Sequence, residues 1–108
     1  MIWRFSMALM LASVCAATAL AQQEEPALQR GRIFTQNNCA SCHSIDRITT
    51  SPLAIAPPFR ELHKKYPIEN LAEAFAEGIS TGHPTMPEFR LDPGQIGDLL
   101  TFMKSLER

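Results

Sequence analysis

The chain has 108 residues and a formal net charge of −1 at pH 7, with 45% hydrophobic and 19% charged residues. That is the composition of a single globular domain and not of a disordered or collagen-like chain. The near-neutral charge offers no basic field for nucleic acid and no polybasic face for a membrane surface, and 108 residues are too few for a two-domain enzyme or a multi-span transporter.

Residues 1–21 read as a secretory signal peptide. Arg4 supplies a charged start, Ser6 to Ala17 is an unbroken run of small and apolar residues, and Ala19-Leu20-Ala21 sets small residues where a signal peptidase reads. Gln22-Gln23-Glu24-Glu25-Pro26 is then abruptly polar. Cleavage after Ala21 is expected and leaves residues 22–108 as the domain, with 9 Lys+Arg against 11 Asp+Glu. An uncleaved membrane anchor is the competing reading, although the run falls short of the about 20 apolar residues that a spanning helix needs. Cys15 lies in this run behind the branched Val14, which argues against lipid attachment there. Export implies a periplasmic location and an oxidising compartment for the two remaining cysteines, Cys39 and Cys42. A domain this small has a marginal core and leans on a disulfide, a metal or a cofactor.

Three or more helices are expected in chain order. Ala27 to Asn38 carries apolar residues at Leu28, Ile33 and Phe34, and Asn37-Asn38 terminates it. Residues 44–66, with Ser51-Pro52 and Pro57-Pro58 and no clear period, read as a long functional loop. Pro67 suits a helix's first position; Ile68, Leu71, Ala72 and Phe75 follow at helical spacing, and Gly78 closes the helix. Residues 79–91 contain Gly82, Pro84 and Pro87 and read as a second loop. Asp92-Pro93-Gly94-Gln95 has the form of a capping box, and Ile96, Leu99, Leu100, Met103 and Leu106 form the apolar stripe of a last helix. No segment alternates as a strand, so the fold class is all-α.

The chemistry sits in Cys39-Ala40-Ser41-Cys42-His43. Cys-x-x-Cys-His is the attachment pattern of c-type haem. Cysteines three apart lie on one side of a helical turn, where their thiols reach the two vinyl groups of a porphyrin edge, and the following histidine presents an imidazole to the iron from that side. Three other readings compete. A thioredoxin-like redox pair needs a strand before it and a βαβ setting. A structural zinc site needs four ligands, and no second ligand pair is spaced for one. A disulfide staple needs only the two cysteines. The export signal and the helical pattern favour one covalent haem c.

Met86, Met103, His63 and His83 are the candidates for the other side of the iron. Met103 belongs to the apolar stripe of the last helix, and core packing accounts for it. Met86 lies in Gly82-His83-Pro84-Thr85-Met86-Pro87, where no helical period explains a flexible apolar side chain and flanking prolines restrict it. Met86 is the favoured sixth ligand and His83 the alternative. His63, beside Lys64-Lys65, reads as a surface histidine.

Taken in order, these pieces resemble a class I c-type cytochrome along nearly the whole chain after residue 21. Gly31 lies eight residues before Cys39, where the family has a glycine at a helix crossing; Leu99 and Phe102 stand where its last helix packs against that glycine. Ala56-Pro57-Pro58-Phe59 resembles the Gly-Pro-x-Leu element after the first haem loop, and Met86-Pro87 the methionine-centred loop. Thr35 departs from the aromatic that often stands four residues after the glycine. The resemblance implies three to four helices wrapped around one covalently attached haem, with Cys39 and Cys42 as attachment points, His43 and Met86 as axial ligands, and the Pro57 carbonyl accepting a hydrogen bond from His43.

The expected function is that of a periplasmic one-electron carrier, not an enzyme. A contact from Arg60 to a haem propionate is a further expectation. Partners would be redox proteins that meet a monomer over a small, transient interface ringed by residues such as Lys64 and Lys65. The alternatives are a haem subunit of a dehydrogenase or oxidase complex, with a membrane attachment if the N-terminus is uncleaved, and a ligand-binding sensor or peroxidase-like protein if Met86 leaves the sixth position open.

Overall fold

The computed structural model describes residues 24–81 and 83–107. The expected signal segment 1–21, its cleavage point and Cys15 lie outside the described residues. Helix α1 spans Pro26–Asn38. It begins one residue before the expected Ala27 because Pro26 occupies its first turn, where the missing N–H has no intrahelical partner to lose. Its buried face runs through Gly31 and Thr35, whereas Ile33, expected inside, is 48% exposed. The helix crossing decides this. A Cβ at Gly31 would lie 2.8 Å from both the Asp98 carbonyl carbon and Phe102 Cβ, so the two backbones approach too closely there for any side chain. Thr35, one turn on, is fully buried, and its hydroxyl donates to the Arg32 carbonyl at 2.9 Å, so its polar group is satisfied.

The stretch 44–66 is not loop throughout. A 3₁₀ helix occupies Phe59–Lys64, started by Pro58 and burying Phe59 and Leu62. Residues three apart share a face in a 3₁₀ helix, and this pair supplies its apolar side. A second 3₁₀ turn, Ile68–Asn70, leads into helix α2 at Leu71–Glu77. Pro67 therefore caps a 3₁₀ turn instead of opening an α-helix. Gly78 ends α2 at φ 105°, a left-handed conformation suited to glycine. Helix α3 spans Pro93–Ser105. Its capping box is formed in both directions: Gln95 N–H donates to Asp92 Oδ1 at 2.8 Å, and Asp92 N–H donates to Gln95 Oε1 at 3.2 Å.

Helices α1 and α3 make the most extensive packing among the described elements. The α3 stripe of Ile96, Leu99, Phe102, Met103 and Leu106 joins Phe59, Leu62, Ile68, Leu71 and Phe75 in one core. Met103 is 2% exposed and belongs to that core, as its place on the stripe implies. Arg30 grips Asp98 through two bonds of 2.9 and 3.0 Å across the crossing; at the surface such a pair adds orientation more than stability. Among the described residues the one β pairing is an isolated antiparallel bridge between Ile79 and Phe89. The fold is all-α.

Candidate functional site

The Cys39–His43 segment extends α1 by a further turn. Cys39 N–H donates to Thr35 O at 2.9 Å, Cys42 N–H to Cys39 O at 3.2 Å, and His43 N–H to Cys39 O at 2.9 Å. The turn gathers two thiols and an imidazole into a few residues, and a helix, not a strand, precedes it. Cys39 and Cys42 are both free thiols and both half-buried. Burial pushes the Cys39 thiol up to about 11, so it stays protonated at neutral pH. Among the described residues no group of three or more His, Cys, Asp or Glu is placed to hold a metal ion, so the zinc reading finds no second ligand pair.

His43 is fixed at its other nitrogen. Its Nδ1 lies 2.8 Å from the carbonyl oxygen of Pro57. A carbonyl only accepts, so Nδ1 carries the proton, and in the neutral ring Nε2 keeps its lone pair for a metal. The Phe59 ring packs against the imidazole with centroids 5.1 Å apart. The Pro57-Pro58 pair thus holds an extended approach to the 3₁₀ helix, which presents one carbonyl and one aromatic ring to His43.

The loop before the imidazole's partner is built from polar contacts. Asp46 Oδ1 accepts from the N–H groups of Ile48 and Thr49 at 2.8 and 2.7 Å, and Asp46 Oδ2 accepts from the Thr49 hydroxyl at 2.7 Å. Those donors, Thr49's above all, pull the Asp46 carboxyl down to about 2. Arg60 donates to Ser44 Oγ and to the carbonyls of Asp46 and Thr49, so its described contacts go to this loop. Arg60 is committed here because the 3₁₀ helix, which went unseen in the sequence, carries it over residues 44–49. The same helix half-buries His63, expected at the surface. Its Nδ1 is shut off from solvent and has no hydrogen-bond partner among the described residues, beside a cleft of about 240 Å³ that also includes Arg60, Lys64 and Leu106.

The second loop is pinned at both ends. Ile79 N–H donates to Phe89 O at 3.0 Å, Leu91 N–H to Phe75 O at 2.9 Å, and Arg90 Nη2 to Glu77 O at 2.8 Å. Phe89 meets Phe34 of α1 edge-on, with ring centroids 6.4 Å apart. The helix that ends in Cys39–His43 therefore also carries the anchor of the Met86 loop. Within the loop, Met86 N–H donates to His83 O at 3.1 Å, closing a turn. Met86 is half-buried, whereas His83 is exposed. Neither residue has a described contact with the cysteine motif. Ser44 is the site residue that sequence reasoning missed, and its grouping with Phe59 and Arg60 went unseen; the spacing of Phe59 and Leu62 was the one signal for the helix that brings them together.

A family model described as Cytochrome c matches residues 28–107. No curated protein matches the chain at a significant level, and no solved structure does so. The residues present fit the group that this family carries. Covalent haem needs two unpaired thiols on one side of a turn and a nitrogen donor with its lone pair free, and Cys39, Cys42 and the Nε2 of His43 supply that donor set. With the family model spanning most of the sequence and that donor set in place, the chain belongs to the cytochrome c family, a family of haem-based electron transfer through covalently attached haem c.

Proposed function

We propose that the protein is a periplasmic one-electron carrier with a single haem c, attached through Cys39 and Cys42 and held axially by His43 and Met86. The observation that carries this reading is the His43 geometry: a protonated Nδ1 on the Pro57 carbonyl, leaving Nε2 as the donor. The haem supplies the redox chemistry, a ferrous–ferric exchange of one electron.

The chain's own residues bind, orient and dry the site. The two thiols give an attachment that does not dissociate. The Pro57 hydrogen bond fixes the ring's rotation and makes Nε2 a better donor. Phe59 restrains the imidazole from its side, and the apolar core behind it excludes water, which keeps rearrangement on electron transfer small. The Met86 loop, tied back to α1 through Phe89, would supply a neutral sulfur donor, and such a donor would raise the potential. Held by both His43 and Met86, the haem would offer its iron to no substrate, so the proposed role is electron carriage and not enzymatic catalysis. Partners are redox proteins that dock transiently on a small surface.

The test uses protein exported from a host that matures haem c. The mature protein should begin at Gln22 and carry the mass of one haem that survives denaturation. Met86→Ala should keep that mass but open ferrous iron to carbon monoxide, while His83→Ala should match wild type. Loss of ligation in His83→Ala, with Met86→Ala unchanged, would move the sixth ligand to His83.

A further inference from the structure

Residues 57–60 grip the His43–Ser44 pair at three points. The Pro57 carbonyl accepts from the His43 ring at 2.8 Å. Phe59 N–H donates to the Ser44 carbonyl at 3.0 Å. Arg60 Nη1 donates to Ser44 Oγ at 3.1 Å and continues to the carbonyls of Asp46 and Thr49 at 3.3 and 2.7 Å. Two N–H groups shared among three acceptors form a branched clamp. Ser44 is 3% exposed, so its hydroxyl sits where a lost partner is not replaced by bulk water. Its other described partner is the Thr49 hydroxyl at 3.1 Å, itself part of the loop that Arg60 holds.

The consequence is geometric. Pro57 belongs to an irregular segment; its carbonyl bonds the His43 ring, and no described hydrogen bond ties Pro57 or Pro58 to the 44–51 loop. Before it, Leu53 N–H donates to the Cys42 carbonyl at 3.1 Å and Ala56 N–H to the Leu53 carbonyl at 2.9 Å; after it, Phe59 and Arg60 tie the segment to residues 44–49. We propose that Arg60 is a positioning residue for His43: by clamping Ser44 and the 46–49 loop, it holds the Pro57 carbonyl in hydrogen-bonding register with Nδ1 and thereby lowers the reduction potential of the bound iron. This rests on the assignment of His43 as axial ligand. A well-made Nδ1–H···O=C bond makes the imidazole a stronger donor, which favours the ferric state. A slackened bond favours the ferrous state.

The sign separates this role from simple charge. Removing a nearby cation favours ferric iron and lowers the potential; loosening the clamp raises it. Ser44→Ala removes one acceptor of the clamp without changing charge. Lys64→Gln removes a cation from the same 3₁₀ helix and the same cleft, and so calibrates the charge effect. The experiment is a spectroelectrochemical titration of the exported holoprotein and its Ser44→Ala, Arg60→Gln and Lys64→Gln variants at one pH and salt concentration. Partial loss of one neutral hydrogen bond predicts that Ser44→Ala moves the ferrous-to-ferric ratio at fixed poise about threefold toward ferrous. That equals about 28 mV at 59 mV per tenfold. Arg60→Gln should lie above Lys64→Gln, and the His43 Nδ1 proton of both clamp variants should exchange faster in the ferrous protein. Ser44→Ala titrating with wild type, or Arg60→Gln at or below Lys64→Gln, overturns the proposal. If Arg60→Gln does not fold, Ser44→Ala alone decides. A His43→Ala protein that kept the wild-type spectrum would instead overturn the ligand assignment itself.

Discussion

Gly31→Ala places a methyl group 2.8 Å from Phe102 Cβ and from the Asp98 carbonyl carbon, and closer still to the Asp98 carbonyl oxygen. The obstruction is backbone of a helix, so no rotamer change relieves it, and α1 and α3 must move apart. Overpacking of this kind costs about 1–3 kcal/mol, and the rigid neighbour puts this site at the upper end. Alanine's better helix propensity returns about 1 kcal/mol. The net loss is therefore about 2 kcal/mol, which for a domain of this size lowers Tm by roughly 8–16 °C. Gly97→Ala on α3 is the matched control. A Cβ there meets nothing within 4 Å, so only the propensity gain remains, and Tm should rise by a few degrees. Thermal unfolding of the two holoproteins, followed by far-UV circular dichroism, measures both. A Gly31→Ala protein as stable as wild type would refute the close crossing and, with it, the packing that orients the end of α1.

Three further outcomes follow from local features. Asp92→Ala removes the capping box of α3 and should cost about 1 kcal/mol, a Tm loss of roughly 4–8 °C, in the same assay. The Asp46 carboxyl lies at about 2 in the folded chain, below its ordinary 3.8. Its contribution to the 44–49 loop is thus complete above the ordinary value and disappears as pH falls through about 2. Protection of the Ile48 and Thr49 amides relative to their intrinsic exchange rates should fall across that window in wild type, whereas in Asp46→Asn it should be low on both sides of it. Gly78→Ala forces an alanine to φ 105° at the end of α2 and should destabilise by about 1–2 kcal/mol in denaturant titration, because glycine alone adopts that conformation freely.

The elements legible in the sequence are those whose signals are local. Asp92-Pro93-Gly94-Gln95 specifies its own hydrogen bonds, and Gly78 its own backbone conformation, so both ends could be placed without tertiary information. The cysteine motif is local in the same sense: its spacing alone gathers the three donors. What stayed hidden depends on partners far along the chain. Ile33 has a better apolar claim than Thr35, yet the crossing with α3 at Gly31 turns Thr35 inward. The Phe59–Lys64 helix offers only two apolar residues behind a double proline, too little to show a period, and its place depends on contacts to residues 44–49. His63 was misread because it rides on that helix, and Arg60's contacts to residues 44–49 were hidden for the same reason. The pairing of Ile79 with Phe89 spans ten residues and no strand pattern announces it.

Carbon monoxide added to the ferrous holoprotein tests the central claim most directly. An iron held by His43 and Met86 has no open position, so the visible spectrum should be unchanged by the gas. A shift of the main haem band in wild type would mean an available sixth site and would contradict the assignment of the protein as a closed, one-electron carrier.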